Sequence, residues 1–362
     1  MRLGVISLGG TTSQWIAQKA LKYFNISDMI DIKQIFIETT SKRQEVYYNK
    51  KPLDHYDCIY IRGSFKYNLL QTAITTVLQE QCYLPLKAQS FNYCHNKFST
   101  LLALHKKNIP IPTTHYAPNV EVAKKILENV NYPIIIKIPM GTQGKGVMFA
   151  DSIASAKSVL DAMEIFKQPF LIQEYIETGA TDTRAIVVGN KVIAAMKRRA
   201  IGNELRANIH MGGSGKKYEL DFETERIAIE TAKAVGAEIC GVDILEGNKK
   251  VVIEVNTSPG LKGISATTDK DLANSIAKYL YTNAREFAEK QKKATYSNII
   301  GSLAPAVNHP KEIITNLDIR AGKIKLPAGL SQIAGFNNNQ EIYIKAQKGK
   351  IEIKEYNIKG GN

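Results

Sequence analysis

Residues 251–256, VVIEVN, combine the pattern of a buried strand with a carboxylate at its end, where an unpaired charge is costly. Residues two apart on a strand face the same side, so Glu254 and Asn256 present oxygen atoms side by side before Pro259-Gly260 turns the chain. A buried carboxylate without a partner costs several kcal/mol. The strand is therefore expected to end beside a metal ion or beside neighbouring lysines.

The composition is that of an ordinary globular protein. A chain of 362 residues is expected to form two or three domains, and its 44% hydrophobic and 23% charged residues fit that class. Its apolar runs are shorter than the roughly 20 residues that cross a bilayer, and the N-terminal apolar segment is too short for a signal peptide. The four cysteines lack CxxC spacing, which argues against a disulfide framework or a zinc site. These features predict a cytoplasmic protein without a membrane partner.

The net charge of +14 has three interpretations. A basic surface is typical of nucleic-acid binding, but it also follows from a lysine-rich composition spread along the chain. The sequence contains no run of five or more Lys or Arg, which favours the dispersed charge. An anionic substrate is a third interpretation and is compatible with the second.

The first 95 residues alternate strands with helices. The segments LGVISL and YDCIYIRGS read as strands, and QWIAQKALKYF and LLQTAITTVLQE read as the helices that follow them. This order predicts a parallel sheet. The Gly9-Gly10 loop opens the first helix and either binds an anion on free N–H groups or is a plain turn, because the full GxGxxG pattern is absent.

From Asn96 onward the pattern predicts a helix, a strand pair with a glycine-rich tip at 141–146, further strands and a long final helix. Lys137 lies at the end of an apolar strand just before that tip, where a buried lysine needs an anion. Three glycines in six residues allow backbone N–H groups to approach phosphates closely. The tip is not a Walker A loop, and it is expected to form a flap over phosphates.

Three further groups of residues support a nucleotide site. Glu174-Tyr175 ends a strand and offers hydrogen-bonding groups to an adenine edge. Hydrogen-bond donors suited to phosphate or carboxylate follow: Arg198, Arg199, Arg206 and Asn208. Arg198 and Arg199 are adjacent on a strand, so only one of them can face the site. Oxygen ligands suited to Mg²⁺ lie on two consecutive strands: Asp243, Glu254 and Asn256.

Residues 1 to about 285 resemble the RimK-like ATP-grasp family of α-L-glutamate ligases. Five segments match in the family's order and spacing: IIIKIPMGTQGKGV, FLIQEYIETGATDTRAIVVGNKVIAAMKRRA, RANIHMGG, GVDIL and VIEVNTSPGLKGI. The resemblance implies an α/β (α+β) chain with the ATP-grasp fold. The expected organisation is a Rossmann-like pre-ATP-grasp domain at 1–95, the ATP-grasp domain at 96–290, a linker at 291–310 and a small β-rich module at 311–362.

The resemblance also implies roles for individual residues. The nucleotide is expected to contact Lys97, Lys137, Gly141, Gln143, Gly144, Gln173, Glu174, Tyr175, Asp182, Arg206, Ala207 and Asn208. The catalytic groups implied are Arg199, Arg206 and Asn208. The expected ligands of Mg²⁺ or Mn²⁺ are Asp243, Glu254 and Asn256.

The reaction that the resemblance implies is ATP-dependent formation of an amide. A carboxylate attacks the γ-phosphate to give an acyl phosphate, and the amino group of an amino acid, expected to be L-glutamate, displaces phosphate. The acceptor is a protein C-terminus, a carrier protein or a small coenzyme, and the sequence does not choose among them. Relatives often carry arginine after the histidine of the NLHRGG-like segment, whereas Met211 follows His210 here, which puts the acceptor in doubt.

Residues 313–357 resemble an AbrB/MazE-like swapped-hairpin module through GKIKLP and IYIKAQKGKIEIK. Such modules pair two chains and many bind DNA, which implies a homo-oligomer and leaves DNA open as a partner. Ile342, Ile344, Ile351 and Ile353 alternate with polar residues, so the hairpin is expected to have one apolar face. A plain β-rich appendage is the alternative. For the whole chain, the alternative to a ligase is a DNA-binding or regulatory protein that retains an ATP-grasp body.

Overall fold

The chain forms two compact units, Met1–Arg285 and Glu286–Asn362. A computed structural model describes the following residues: 1–139, 146–164, 167–200, 214–302, 318–320, 323–325, 330, 334–336 and 340–356. No helix among these residues is both long and apolar enough to cross a membrane.

A three-stranded parallel sheet forms the first layer of the larger unit. Its elements and those around it are β1 (Arg2–Ser7), α1 (Thr11–Ala20), β2 (Ile26–Asp31), β3 (Ile35–Thr39), β4 (Gln44–Tyr48), β5 (Lys51–Pro52), β6 (Cys58–Ile61), α2 (Asn68–Leu78) and α3 (Ala88–Cys94). The strand order is β2-β1-β6, which confirms the predicted parallel sheet. Strand β1 is buried along almost its whole length, as expected of a central parallel strand. The antiparallel strands β3–β5 were not predicted.

A second sheet carries the segment before the glycine-rich tip. Its elements are α4 (Lys97–His105), β7 (Thr114–Ala117), α5 (Val120–Leu127), β8 (Ile134–Lys137), β9 (Val147–Ala150), α6 (Ile153–Met163) and β10 (Phe170–Glu174). The strand order is β7-β10-β8-β9, and helices α5 and α6 share its apolar core. Antiparallel pairing of β8 with β9 confirms the predicted strand pair. Residues 140–145 of its tip lie outside the described residues.

A five-stranded antiparallel sheet completes the larger unit. The elements are β11 (Thr181–Val188), β12 (Lys191–Arg199), β13 (Ser214–Lys217), α7 (Phe222–Val235), β14 (Ile239–Glu246), β15 (Lys250–Asn256), α8 (Lys262–Thr268) and the first part of α9 (Leu272–Ser302), whose second part belongs to the smaller unit. The strand order is β13-β12-β11-β14-β15. Helix α7 packs against this sheet. It begins where the Asp221 carboxylate accepts a hydrogen bond from the Thr224 N–H at 2.8 Å, and it ends at Gly236 with φ +73°.

Helix α9 continues to Ser302, well into the segment 291–310 that was expected to be a linker. The cause is local: the stretch QKKATYSNII contains neither proline nor glycine, and the first helix-weakening residue is Gly301. The described part of the smaller unit contains two antiparallel hairpins, formed by β16 (Asp318–Arg320) with β17 (Lys323–Lys325) and by β18 (Ile342–Gln347) with β19 (Lys350–Glu355).

Candidate active site

A row of charged side chains crosses four neighbouring strands of the five-stranded sheet. The register places Arg198 of β12 opposite Asp182 of β11, and Arg184 of β11 opposite Asp243 of β14. Asp243 in turn lies opposite Glu254 of β15. Residues two apart on β11 face the same side, so the row occupies one face of the sheet.

The inner part of the row is a buried ion-pair network. Arg184 donates from Nε and Nη2 to the two carboxylate oxygens of Asp243 at 2.7 and 2.6 Å. Arg198 donates in the same way to Asp182 at 2.5 and 2.7 Å, and its Nη2 is also 3.0 Å from Asp243 Oδ2. The side chains of Arg198 and Asp243 are 4% and 3% exposed. Such bidentate pairs fix both the position and the orientation of each carboxylate.

The two carboxyl groups of this network differ in their pKa. At Asp243 burial opposes ionisation, but Arg184 and Arg198 outweigh it and lower the pKa to about 2. At Asp182 burial has the larger effect and raises the pKa to about 6, although Arg198 opposes the shift. Asp243 is therefore a carboxylate at every physiological pH, and it is an anionic partner of both guanidinium groups that face it.

The edge strand β15 ends in two residues, Glu254 and Asn256, whose side-chain oxygens have no partner among the described residues; we call them the open pair. Glu254 and Asn256 are half-buried on the same face of β15. Among the described residues, no hydrogen bond or ion pair engages either side chain. Mg²⁺ is usually held by one or two carboxylates together with phosphate oxygens and water, and this pair fits that requirement.

Asp243 lies next to Glu254 but differs from it in its partners. Both of its oxygens accept hydrogen bonds from guanidinium groups, so the structure shows it in ion pairs. In the described part of the chain, no group of three or more His, Cys, Asp or Glu residues is arranged to hold a metal ion. Glu254 and Asn256 therefore fit a metal that phosphates also bind, and a ligand role for Asp243 stays a prediction.

Lys137 lies at the end of β8, buried with 7% of its surface exposed. Its Nζ donates to Gln173 Oε1 at 2.7 Å, and Gln173 Nε2 donates to Thr114 Oγ1 at 2.6 Å, which fixes the lysine head group. Burial lowers the pKa of Lys137 to about 8, the charge of Lys97 adds to the shift, and Glu254 opposes it. Two lysines and the open carboxylate are therefore electrostatic neighbours, as a site for a metal–phosphate group requires.

The segment after β10 forms one wall of a cavity of about 510 Å³. The cavity is lined by Glu174, Tyr175, Ile176, Glu177, Asn248 and Lys249. Glu174 Oε1 accepts hydrogen bonds from the Thr113 N–H at 2.7 Å and from Lys249 Nζ at 2.6 Å. The hydrogen bond from Lys249 to the Glu174 carboxylate thus connects the end of β10 to the β14–β15 turn. The adenine contact expected for Glu174 and Tyr175 stays a prediction.

The remaining predicted residues fall into two groups. Arg199 is exposed at the end of β12, and its neighbour Arg198 is the arginine that joins the charged row. Arg184 was not singled out from the sequence, although its position two residues after Asp182 in TDTR places both on one strand face. The other predicted residues lie outside the described residues: Gly141, Gln143, Gly144, Arg206, Ala207 and Asn208.

Residues 94–280 match the RimK-like ATP-grasp domain. A probable α-L-glutamate ligase of Marinomonas sp. (strain MWYL1) is 37% identical over 269 residues, which are 73% of this chain and 89% of that protein. A probable α-L-glutamate ligase of Saccharophagus degradans is 36% identical over 262 residues, 71% of this chain and 87% of that protein.

Two solved structures share the fold at low sequence identity. A RimK domain ATP-grasp protein from Sphaerobacter thermophilus superposes with a TM-score of 0.61 at 14% identity, over 77% of this chain and 99% of that one. The ATP-grasp ligase PsnB, complexed with minimal precursor, Mg and ADP, gives a TM-score of 0.61 at 15% identity, over 78% of this chain and 98% of that one. The predicted α/β class with the ATP-grasp fold is confirmed. The chain belongs to the RimK-like ATP-grasp family and is an ATP-dependent ligase.

Proposed function

We propose that the protein joins the amino group of L-glutamate, or of a close acidic relative, to a carboxylate acceptor at the expense of ATP. The observation that carries the proposal is the electrostatic proximity of buried Lys137 to Glu254, which lies beside Asn256 on one face of β15. The relatives of 37% and 36% identity, both named probable α-L-glutamate ligases, support glutamate as the donor.

The side chains of the site act by position and charge. Lys137, oriented by Gln173, and Lys97 place positive charge where the phosphates of ATP bind. Glu254 and Asn256 hold Mg²⁺, and Mn²⁺ suits the same oxygen donors. The metal, when bound, neutralises phosphate charge and orients the γ-phosphate.

The proposed chemistry has two steps. An acceptor carboxylate oxygen attacks the γ-phosphorus, which forms an acyl phosphate as the bond to ADP breaks. The amino group of the donor then attacks the carbonyl carbon, phosphate leaves, and the nitrogen loses a proton to give the amide. Phosphoryl transfer needs little covalent help, so positioning and charge neutralisation account for most of the catalysis.

The acceptor is proposed to be a protein C-terminus, a carrier protein or a small coenzyme that bears a carboxylate. The structure of PsnB has been solved with precursor peptide PsnA2 and AMPPNP. Among the three acceptors, this supports one whose carboxylate belongs to a polypeptide. The relatives and solved structures reported above are ligases or ATP-grasp proteins, and they give no support to the DNA-binding alternative. The free cysteines and the use of ATP support a cytoplasmic location.

A donor screen tests the proposed function. The purified protein is incubated with ATP, Mg²⁺, desalted cell extract as the source of acceptor, and each of the twenty amino acids in turn. L-Glutamate is expected to give the largest amino-acid-dependent release of ADP. Preference for a neutral or basic amino acid would contradict the proposed donor.

Lys137→Ala is expected to raise the KM for ATP about ten- to a hundredfold, because a charge-assisted hydrogen bond contributes about 1.5–3 kcal/mol. The melting temperature is expected to change little, since the lysine is a buried cation whose loss also removes a desolvation cost. Lys157→Ala, on the exposed side of α6 with a long 3.8 Å ion pair to Glu128, is the matched control. An unchanged KM for ATP in Lys137→Ala would show that Lys137 does not contact the nucleotide.

For the smaller unit we propose a dimerising role of the AbrB-like kind. The register of the hairpin places Ile344 opposite Ile353 and Ile351 opposite Ala346, so these apolar side chains share one face of the hairpin. Ile344 and Ile351 are 55% and 51% exposed. A segment of this size buries little apolar surface alone, and a second copy is the occupant that supplies a matching face.

Deletion of the residues after Ser302 tests that role. Light scattering is expected to show a lower oligomeric state, while ATP turnover with glutamate survives because every site residue discussed above precedes the deletion. The double variant Ile344→Lys and Ile351→Lys is expected to reproduce the change in size without shortening the chain. A deletion variant of unchanged oligomeric state would contradict the dimerising role.

A further inference from the structure

Arg62, at the end of β6, is a buried cation with neutral partners. The residue is 4% exposed, and its guanidinium group donates from Nε to Ser13 Oγ at 3.1 Å and from Nη1 to Tyr60 Oη at 2.9 Å. Its Nη2 donates to the Pro259 carbonyl oxygen at 2.8 Å. Among the described residues, no carboxylate forms an ion pair with it. A buried charge without a counter-ion is costly, so the residue requires an explanation other than stability.

The Pro259 carbonyl belongs to the turn that follows the open pair Glu254 and Asn256. Two further hydrogen bonds tie this turn to the first 95 residues. The Gly63 N–H donates to Ser258 Oγ at 2.9 Å, and the Leu261 N–H donates to Thr12 Oγ1 at 3.1 Å. Three hydrogen bonds therefore join the layer of the parallel sheet β2-β1-β6 to the turn that follows β15 of the five-stranded sheet.

The turn is also packed tightly against the strand that pairs with Asn256. Gly241 of β14 lies opposite Asn256 in the register. A Cβ atom added to Gly241 would lie 3.2 Å from Pro259 Cβ and 3.8 Å from Asn256 Cβ, so the proline ring covers the glycine. Pro259 therefore lies over the strand position that pairs with Asn256, and Asn256 is three residues before Pro259 in the chain.

We propose that Arg62 is a positioning residue for the metal–nucleotide site: its hydrogen bond to Pro259 fixes the turn and thereby the spacing of Glu254 and Asn256. The inference rests on the proposed function of that pair. Arginine suits the task because its planar fork bonds Ser13, Tyr60 and Pro259 in three directions at once, which an ammonium group on a flexible stem does not reproduce.

The test compares Arg62→Met and Arg62→Lys with the unaltered protein by calorimetric titration of Mg²⁺·ADP. Groups that orient metal ligands typically contribute ten- to a hundredfold in affinity, so Arg62→Met is expected to weaken Mg²⁺·ADP binding by roughly that factor. Arg62→Lys is expected to recover part of the loss. The kcat for ATP turnover is expected to fall in parallel, while the KM for the amino-acid donor stays unchanged.

Arg2→Met is the matched control, since Arg2 also lies in the first 95 residues but is paired with Asp28 and Asp54 on the surface. It is expected to bind Mg²⁺·ADP like the unaltered protein. A folded Arg62→Met variant with unaltered Mg²⁺·ADP affinity would overturn the inference. A raised KM for the amino acid at constant Mg²⁺·ADP affinity would also overturn it, because Arg62 would then contact substrate.

A second variant keeps the test decisive if Arg62→Met does not melt cooperatively. Thr12→Val with Ser258→Ala removes the other two bonds to the turn and disturbs no buried charge. It is expected to weaken Mg²⁺·ADP binding as well. The folded Arg62→Lys variant is then decisive, because it keeps the buried charge but loses the planar fork, and unaltered Mg²⁺·ADP affinity in it would overturn the inference. Absence of Mg²⁺·ADP binding by the unaltered protein would instead contradict the proposed metal site, and the inference with it.

Discussion

Glu254→Gln is expected to lower ATP turnover about a hundred- to a thousandfold, because the amide removes the one negative charge that β15 offers to a metal at the phosphates. Loss of a preorganised electrostatic contact at the reacting group typically costs about 3–4 kcal/mol of transition-state stabilisation. The fold is expected to persist, since no hydrogen bond or ion pair of Glu254 exists among the described residues. Steady-state turnover, the melting temperature and calorimetric binding of Mg²⁺·ADP measure the three effects separately.

Glu223→Gln supplies the control for this experiment. Glu223 lies in the first turn of α7 and pairs with Lys250 at 2.8 Å on the surface, so its neutralisation removes the same charge away from the site. Its turnover is expected to remain within about twofold of the unaltered protein, since exposed ion pairs contribute little. Full turnover in Glu254→Gln would contradict the assignment of β15 as the metal-binding edge.

Asp243→Ala is expected to destabilise the folded state by about 3–5 kcal/mol, the cost of breaking a buried ion pair by removing one partner. Arg184 would lose both of its hydrogen bonds to the carboxylate, and Arg198 would keep only those to Asp182. Urea denaturation of the unaltered and variant proteins measures the difference in unfolding free energy. Nucleotide turnover is expected to fall as well, because the charged row borders Glu254.

The matched control is Asp221→Ala, which removes a carboxylate of the same type from the surface. Asp221 caps α7 and pairs with Lys250 at 2.6 Å, and loss of such a cap costs about 1 kcal/mol. The double variant Asp243→Leu with Arg184→Met is expected to recover part of the stability, because it removes charge from both sides of the pair. Equal losses for Asp243→Ala and Asp221→Ala would show that the buried network is not a stabilising unit.

Strand parity made part of the site predictable from the sequence. Glu254 and Asn256 are two residues apart in an apolar strand, and that spacing alone places their side chains on one face. The β8–β9 pair followed from a local pattern of apolar residues on either side of a glycine-rich turn. These features depend on residues that are close in sequence.

The parts that were missed depend on pairing between distant strands. Arg184 meets Asp243 across 59 positions, and Arg62 meets Pro259 across 197. No local pattern states which register β11 adopts against β14, or which turn reaches the end of β6. Side chains of β12 alternate between the two faces of the sheet, and the pairing with β11 decides which set lies on the face of Asp182. That pairing places Arg198, not Arg199, beside Asp182.

Glutamate ligation is tested directly by mass spectrometry of a reaction with ATP, Mg²⁺, isotopically labelled L-glutamate and desalted cell extract. The expected product carries the label in an amide bond and forms only with ATP, with one ADP and one phosphate released for each glutamate joined. A carboxylate oxygen of the acceptor is expected to appear in the released phosphate, as acyl-phosphate formation requires. Release of ADP without a labelled amide, or a labelled amide formed without ATP, would contradict ATP-dependent glutamate ligation.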